Sequence, residues 1–175
     1  MLERQWLTLN KQPVEDVVKL IDKVLQEQDL IIHIGTDAQK IDKRVDFVTC
    51  IALVRPSKGG RVFYTRVRKD KRDVNSLRQK LMTEAWLTLE TAMELSQELP
   101  DDVKFVIHVD VNPDIKWESS RHINEVVGMI MGQGFDNVLT KPDAWLASHC
   151  ADHAVKNKNS RNALPEGKFK RTRKK

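Results

Sequence analysis

An α/β fold is predicted by three features of the chain. Two apolar runs of strand length, LIIHIGTDAQ at 30–39 and VKFVIHVDVN at 103–112, each carry an aspartate just past the run. Between them lie two segments rich in β-branched and aromatic residues, 46–55 and 61–68, joined by the hairpin signal PSKGG. Longer segments with helical periodicity flank and separate these strands.

The elements follow in order. PVEDVVKLIDKVLQEQ, residues 13–28, places Pro13 at a helix start, acids in the first turn and Val14, Val17, Val18, Ile21, Val24 and Leu25 at helical spacing, which predicts a leading helix. Three strands come next, expected to be antiparallel. A long helix runs from about Val74 to Leu99 and is closed by Pro100; the strand that carries Asp110 follows it. A second helix spans about Glu118 to Gln133, with Gly134 as its stop. FDNVLTK supplies a short fifth strand, and DAWLASHCADHAVK reads as the last helix. After the leading helix the order is βββαβαβα.

Three acids stand out against this pattern. A carboxylate where a strand should bury apolar side chains costs several kcal/mol unless a cation compensates it. Asp37 and Asp110 are both so placed, and on neighbouring strands they would share one site. Strand alternation puts His33, Gly35 and Asp37 on one face, and His108 with Asp110. On the long helix, Leu77, Leu81, Ala85, Thr88, Ala92 and Leu95 form the apolar stripe; Glu84 falls inside it, while Glu90 and Glu94 point away. Laid across the sheet, that helix would aim Glu84 at the two aspartates.

Composition bounds the function classes. The chain has 175 residues, 40% apolar and 31% charged, which suits one globular domain over residues 1–156. The net charge of +5 is uneven: nine Lys or Arg against Glu166 lie between Lys156 and Lys175, so the body before them is acidic. Residues 157–175 read as a basic, disordered tail suited to contact with a polyanion. The start, MLERQWLTLN, has no signal-peptide h-region and no stretch is long enough for a membrane span, so a soluble cytoplasmic protein without membrane contact is expected. With only Cys50 and Cys150, no disulfide framework is implied.

Taken together, IHIGTDAQ, MTEAWLTLE, HVDVNPD and KPDAWLASHCADH are similar to the YkuK-type ribonuclease H-like proteins, over about residues 13–156. The resemblance implies a five-stranded mixed sheet in the order 3-2-1-4-5, flanked by helices, and a nuclease centre in which four carboxylates hold two divalent cations. Carried over residue by residue, it puts Asp37 on the central strand, Glu84 on the long helix and Asp110 at the end of the fourth strand. The fourth acid is expected to be Asp152, because His149 and Asp152 resemble the His-x-x-Asp of RuvC-type resolvases; Asp143 is the alternative, competing with a helix N-cap role. The implied cofactor is Mg²⁺ or Mn²⁺, the implied substrate RNA, DNA or a hybrid. Such acids would repel one another without metal, leaving an empty site strained or partly protonated.

The remaining residues carry less. His33 and His108 would suit Zn²⁺ or Mn²⁺ as a pair, but hydrogen-bonded core histidines are the commoner outcome. His149 is a candidate proton shuttle or phosphate contact. Arg61, Arg66, Arg68, Lys69, Lys71 and Arg72 form a basic stripe that could follow a nucleic-acid backbone or merely guard an edge strand. Aromatic residues, 6% of the chain, are scattered and form no evident stacking platform. Three readings follow: a metal-dependent nuclease, a non-catalytic nucleic-acid-binding module of the same fold, and an ATP-handling protein. The last is disfavoured because one small domain lacks a second half to enclose a nucleotide.

Overall fold

Alternating β-branched and aromatic residues build a long antiparallel meander at the centre of the molecule: β3 (Ile31–Ile41), β4 (Arg44–Arg55) and β5 (Gly59–Asp70). Residue-for-residue pairing runs from Ile31↔Val54 to Ile41↔Arg44 and from Arg44↔Asp70 to Arg55↔Gly59. The first turn is tight enough to place Asp42 at φ 51°, a conformation aspartate tolerates; the second uses Gly59 at φ 87°. The computed structural model describes residues 4–25, 30–56, 58–146 and 148–150.

On the other side of β3, β6 (Lys104–His108) and then β7 (Val138–Leu139) add in parallel. Beyond β5 lie two strands that the sequence pattern did not predict, β1 (Trp6–Thr8) and β2 (Pro13–Val14). The sheet thus has seven strands in the order β2-β1-β5-β4-β3-β6-β7, which corrects the expected five-stranded 3-2-1-4-5 arrangement. Pro13 is likewise not a helix start. It pairs at the sheet edge, where its missing N–H costs nothing, and α1 (Val17–Leu25) begins only after Asp16, whose carboxylate accepts from the Lys19 N–H at 3.0 Å. Residues 26–29, the remainder of the expected leading helix, lie outside the described residues.

The long helix is α2 (Leu77–Glu98). Ser76 caps it by accepting from Gln79 N–H at 3.1 Å, while the Gln79 side chain takes the Asn75 N–H. A 3₁₀ turn, Lys71–Asp73, precedes it. The second helix begins as a 3₁₀ turn, Glu118–His122, and continues as α3 (Ile123–Met131). Helices α1, α2 and α3 all cover one face of the sheet, burying Ile21, Leu81, Ala92, Leu95, Val126 and Ile130 against Ile32, Ile34, Ile51 and Ile107. The opposite face is covered by a smaller cluster, in which Leu146 and Cys150 from the final helical turn meet Val48, Cys50, Ala52 and Tyr64. At about 25 cal/mol per Å² of apolar surface, these two layers supply the main driving force for the fold. Among the described residues no helix is long and apolar enough to cross a membrane.

Candidate active site

The neighbouring parallel strands β3 and β6 are in register as far as Gly35↔His108. Two residues further along each chain stand Asp37 and Asp110, which places both acids at the same end of the sheet. Asp110 lies just past the end of β6, its flanks fixed by backbone bonds from Val109 N–H to Leu139 O at 2.9 Å and from Lys141 N–H to Val111 O at 3.0 Å. Glu84 arrives from the other direction. It is buried on α2, and its Oε1 accepts from the Ala38 backbone N–H at 2.8 Å, which couples the helix to β3 one residue beyond Asp37. Thr88, one turn on, donates to Thr36 Oγ1 at 2.8 Å, and Thr36 in turn bonds Thr49 at 2.9 Å. This chain of hydroxyls holds α2 to the two central strands. A crevice between α2 and the end of β6 is lined by Thr36, Glu84, Thr88, His108 and Asp110, so Glu84 and Asp110 share one recess.

Strand alternation places Asp37 on the face away from α2, so Glu84 does not lie directly over it. A lysine joins them instead. Lys80 Nζ is 3.1 Å from Glu84 Oε1 and 4.0 Å from Asp37 Oδ1, and Lys141 Nζ is 2.5 Å from Asp110 Oδ1. Three carboxylates are thus gathered around two ammonium groups. Burial pushes the Glu84 carboxyl up to about 8, with Lys80 pulling it down and Asp37 and Asp110 adding to the rise. Asp37 is raised for the same reason, burial, against the pull of Lys80 and with the push of Asp110. For Lys80 burial works against the charge, but Glu84 and Asp37 outweigh it and raise its pKa. Neither lysine was singled out from the sequence; the available signal for Lys80 was its i,i+4 spacing from Glu84.

The other expected members of the site are placed less centrally. Asp152 lies outside the described residues. Asp143 is exposed in the turn that precedes the final helical turn. His149 is exposed too, and its Nδ1–H donates to Trp145 O at 2.6 Å, which turns that nitrogen back onto its own helix. His33 and His108 are buried side by side, Nδ1 to Nε2 at 2.9 Å, with Trp145 packed on both rings at centroid distances of 5.6 and 5.4 Å. Burial lowers their pKa values to about 4 and about 3, so both are neutral imidazoles that bond one another. Among the described residues no group of three His, Cys, Asp or Glu stands at metal-binding spacing.

The basic stripe is divided by the strand. Arg66 and Arg68 share the face of Asp37, since Val48↔Arg66 and Asp46↔Arg68 pair across β4 and β5. Arg61 and Lys69 alternate to the helix face, where Lys69 sits 6.0 Å over the Phe47 ring. Lys71 and Arg72 belong to the 3₁₀ turn and line an open depression of about 730 Å³ with Lys40 and Lys43; Asp70 holds Arg72 at 3.0 Å. A single continuous stripe does not form. In its place stands a cluster the sequence reading missed: Asp46 on β4, fully buried, with Arg44, Arg66 and Arg68 at 3.2, 3.5 and 3.7 Å. The signal for Asp46 was the one that marked Asp37, an acid inside an apolar strand.

The Ribonuclease H-like family model matches residues 12–156. No curated protein and no solved structure gives a significant match. An α/β sheet with helices α1, α2 and α3 over one face, a central strand bearing Asp37 and a family match over most of the chain lead to one assignment, which points to nucleic-acid-related chemistry: the protein belongs to the ribonuclease H-like family.

Proposed function

We propose that the protein is a divalent-metal-dependent nuclease whose site is built on Asp37, Glu84 and Asp110, with Asp152 as the fourth acid and Asp143 as its alternative. One observation carries the reading: Asp37 within β3, Asp110 just past β6 and the buried helix glutamate Glu84 are drawn together beside the β3–β6 pairing, with Lys80 and Lys141 as their ion-pair partners among the described residues. The donor set suits a hard cation, since Mg²⁺ and Mn²⁺ favour carboxylate oxygen. Glu84 Oε2 is a buried acceptor that meets no hydrogen-bond donor among the described residues, so it has a lone pair to offer. Bound there, a divalent cation would stabilise the negative charge that develops on phosphate oxygens.

The chain's own groups set the conditions for that binding. Lys80 and Lys141 act as resident counter-charges that hold the carboxylates together at neutral pH. Glu84, with a pKa near 8, must lose its proton before it can act as a ligand, so cation binding should release protons and strengthen as pH rises toward 8. Ala38 N–H fixes the Glu84 carboxylate in place, and the Thr36–Thr88 bond keeps α2 from sliding along β3. Phosphodiester substrate would meet Arg66 and Arg68 on the Asp37 face and the Lys71–Arg72 turn at the sheet end, with the basic tail adding polyanion contact.

A second reading has an observation in its favour. Two ammonium groups already neutralise most of the acidic charge, as expected of a nucleic-acid-binding module with little catalysis. Mn²⁺ titration by calorimetry, with cleavage assays on RNA, DNA, hybrid and junction substrates, separates the two. The nuclease reading expects Mn²⁺ binding with proton release and cleavage that falls by orders of magnitude in Asp37→Asn, whose fold is intact or more stable without metal. Equal cleavage by wild type and Asp37→Asn would remove Asp37 from the chemistry; tight nucleic-acid binding with neither Mn²⁺ binding nor cleavage would establish the binding module.

A further inference from the structure

The chain that leaves β6 past Asp110 turns its largest apolar side chains outward. Ile115 is 93% exposed and Trp117 is 58% exposed, in the stretch that joins β6 to the 3₁₀ turn Glu118–His122. The stretch is nevertheless closely tied. Asn112 N–H donates to Ser119 Oγ at 3.2 Å and closes its base; inside, Asp114 N–H bonds Asn112 Oδ1 and Lys116 N–H bonds Asp114 Oδ1, each at 3.0 Å. Trp117 N–H reaches Asp114 O at 2.9 Å, and Trp117 O accepts from Ser120 N–H at 3.0 Å. A lone exposed apolar residue is ordinary, but an indole and an aliphatic side chain on one tied loop form a prepared surface. A ligand that covers Trp117 does not have to order the loop first.

The size and place of this apolar tip select its occupant. At about 200 Å² for a fully bare side chain, the exposed parts of Ile115 and Trp117 offer about 300 Å², well below the roughly 800 Å² that each partner brings to a stable protein interface. Trp86 and Met131, the other exposed large apolar side chains among the described residues, belong to α2 and α3 rather than to this loop. One indole face with an aliphatic side chain nearby suits a single flat ring. The tip also lies within reach of the acids. Asn112 is two residues past Asp110, Ser119 is two past Trp117, and a 3.2 Å bond joins Asn112 to Ser119, so the Trp117 and Asp110 backbones are at most about 20 Å apart. That is about six steps of a stacked strand at about 3.4 Å each.

We infer that Trp117, with Ile115 beside it, is a stacking site for an unpaired base, so that the substrate of the carboxylate centre is single-stranded or locally opened nucleic acid. The inference rests on the proposed nucleic-acid function and narrows its substrate class. A base inside a duplex has both faces covered by its neighbours, so an indole fixed on a tied loop meets only a base that is unpaired, frayed or flipped out. Every base has such a face, so the contact carries little sequence preference. Stacking also releases no condensed counterion, which separates it from contact with phosphate.

Equilibrium binding of labelled oligonucleotides to the full chain in EDTA tests this without cleavage, with a single strand and the blunt duplex of the same sequence compared at several salt concentrations. Wild type should favour the single strand by about tenfold. Trp117→Ala should bind the single strand about tenfold more weakly and the duplex as wild type does, with the slope of log affinity against log salt unchanged. Trp117→Phe keeps an aromatic face and should recover most of the loss. If Trp117→Ala fails to fold, Ile115→Ala decides, since that side chain is almost wholly in solvent; it should weaken single-strand binding a few-fold. Wild-type affinity for the single strand in folded Trp117→Ala, or in Ile115→Ala where that variant decides, overturns the stacking site, and so does an equal loss on single strand and duplex. Self-association that Trp117→Ala abolishes while nucleic-acid binding is untouched also overturns it, and assigns the loop to a second copy of the chain. Cleavage assays with Mn²⁺ keep the two ideas apart. A wild type that stacks a base through Trp117 but cuts nothing defeats the nuclease reading alone; Mn²⁺-dependent cutting whose single-strand preference survives in Trp117→Ala defeats the stacking site alone.

Discussion

Two buried charge clusters lie on this sheet and are close to mirror images. At the ends of β3 and β6 three carboxylates surround two ammonium groups; on β4 and β5 one carboxylate is surrounded by three guanidiniums. The first becomes acidic overall only when Glu84, raised to about 8, loses its proton, and the proposed divalent cation would meet that charge. The difference also lies in the cations chosen. Lysine is a compact point charge on a flexible stem, able to turn away, whereas arginine offers a planar fork for direct contact.

The comparison can be broken most decisively at the acidic end. Asp152→Asn should lower Mn²⁺-dependent cleavage by about a hundredfold or more, whereas Asp143→Asn, at an exposed turn position, should leave cleavage and melting temperature near those of the wild type. Activity and thermal melts on both variants check the ranking, and the reverse order would move the fourth ligand to Asp143.

Next in size is the pH dependence of Glu84. Its carboxyl is about 8 in the fold against a model-peptide value of 4.5, so the proton it holds stabilises the fold fully below pH 4.5 and that stability is lost as pH rises through 8. In metal-free buffer Glu84→Gln should thus match wild type near pH 4.5 and exceed it by a few kcal/mol above pH 8, read from denaturant melts across that range. A constant difference at all pH values would show that Glu84 does not titrate within the site.

The histidine pair supplies a contrast of opposite sign. Imidazoles lowered to about 4 and about 3 bind protons less readily folded than unfolded, so their stability is present above pH 6.5 and drains as pH falls toward 4. Replacing His108 with Gln should flatten the acid limb of the stability curve between those values; an unchanged limb would mean other groups set it.

The smallest expected effect belongs to the basic tail. Removing residues 157–175 should weaken oligonucleotide binding a few-fold and make its salt dependence shallower, with turnover at saturating substrate near that of the full chain. Titrations at several salt concentrations check it, and collapsed turnover would make the tail part of the active site.

How much of this was legible in the sequence depends on the range of the interaction. Asp37, Asp110 and Glu84 were visible because each violates a local period, strand alternation or helical stripe, and a violation needs only its neighbours to be seen. Asp46 violated the same rule but stood at the first position of the expected strand 46–55; Arg44 lies two residues before it on the same strand, and the two β5 arginines join it only through pairing. Lys141 obeys its local pattern and Lys80 was marked only by its i,i+4 spacing from Glu84, so neither stood out until the sheet brought 37, 84 and 110 together. The strands β1 and β2 are three and two residues long, too short for any period, and Pro13 fits a helix start as readily as a sheet edge.

That short N-terminal ribbon also bears on how the molecule behaves in a crowd. Strand β1 pairs with β5 only at Phe63 and Tyr64, covering its apolar half, while the stretch from Thr65 to Asp70 carries Arg66, Arg68 and Lys69. An uncovered apolar strand edge is a template for joining with other chains, and charge is the usual protection against it. The protein divides the task along a single strand: its own backbone screens the sticky half, and the cationic half repels a second copy while staying open to a polyanion. The feature that would let this edge grip nucleic acid is thus the same one that would oppose edge-to-edge pairing with a second copy.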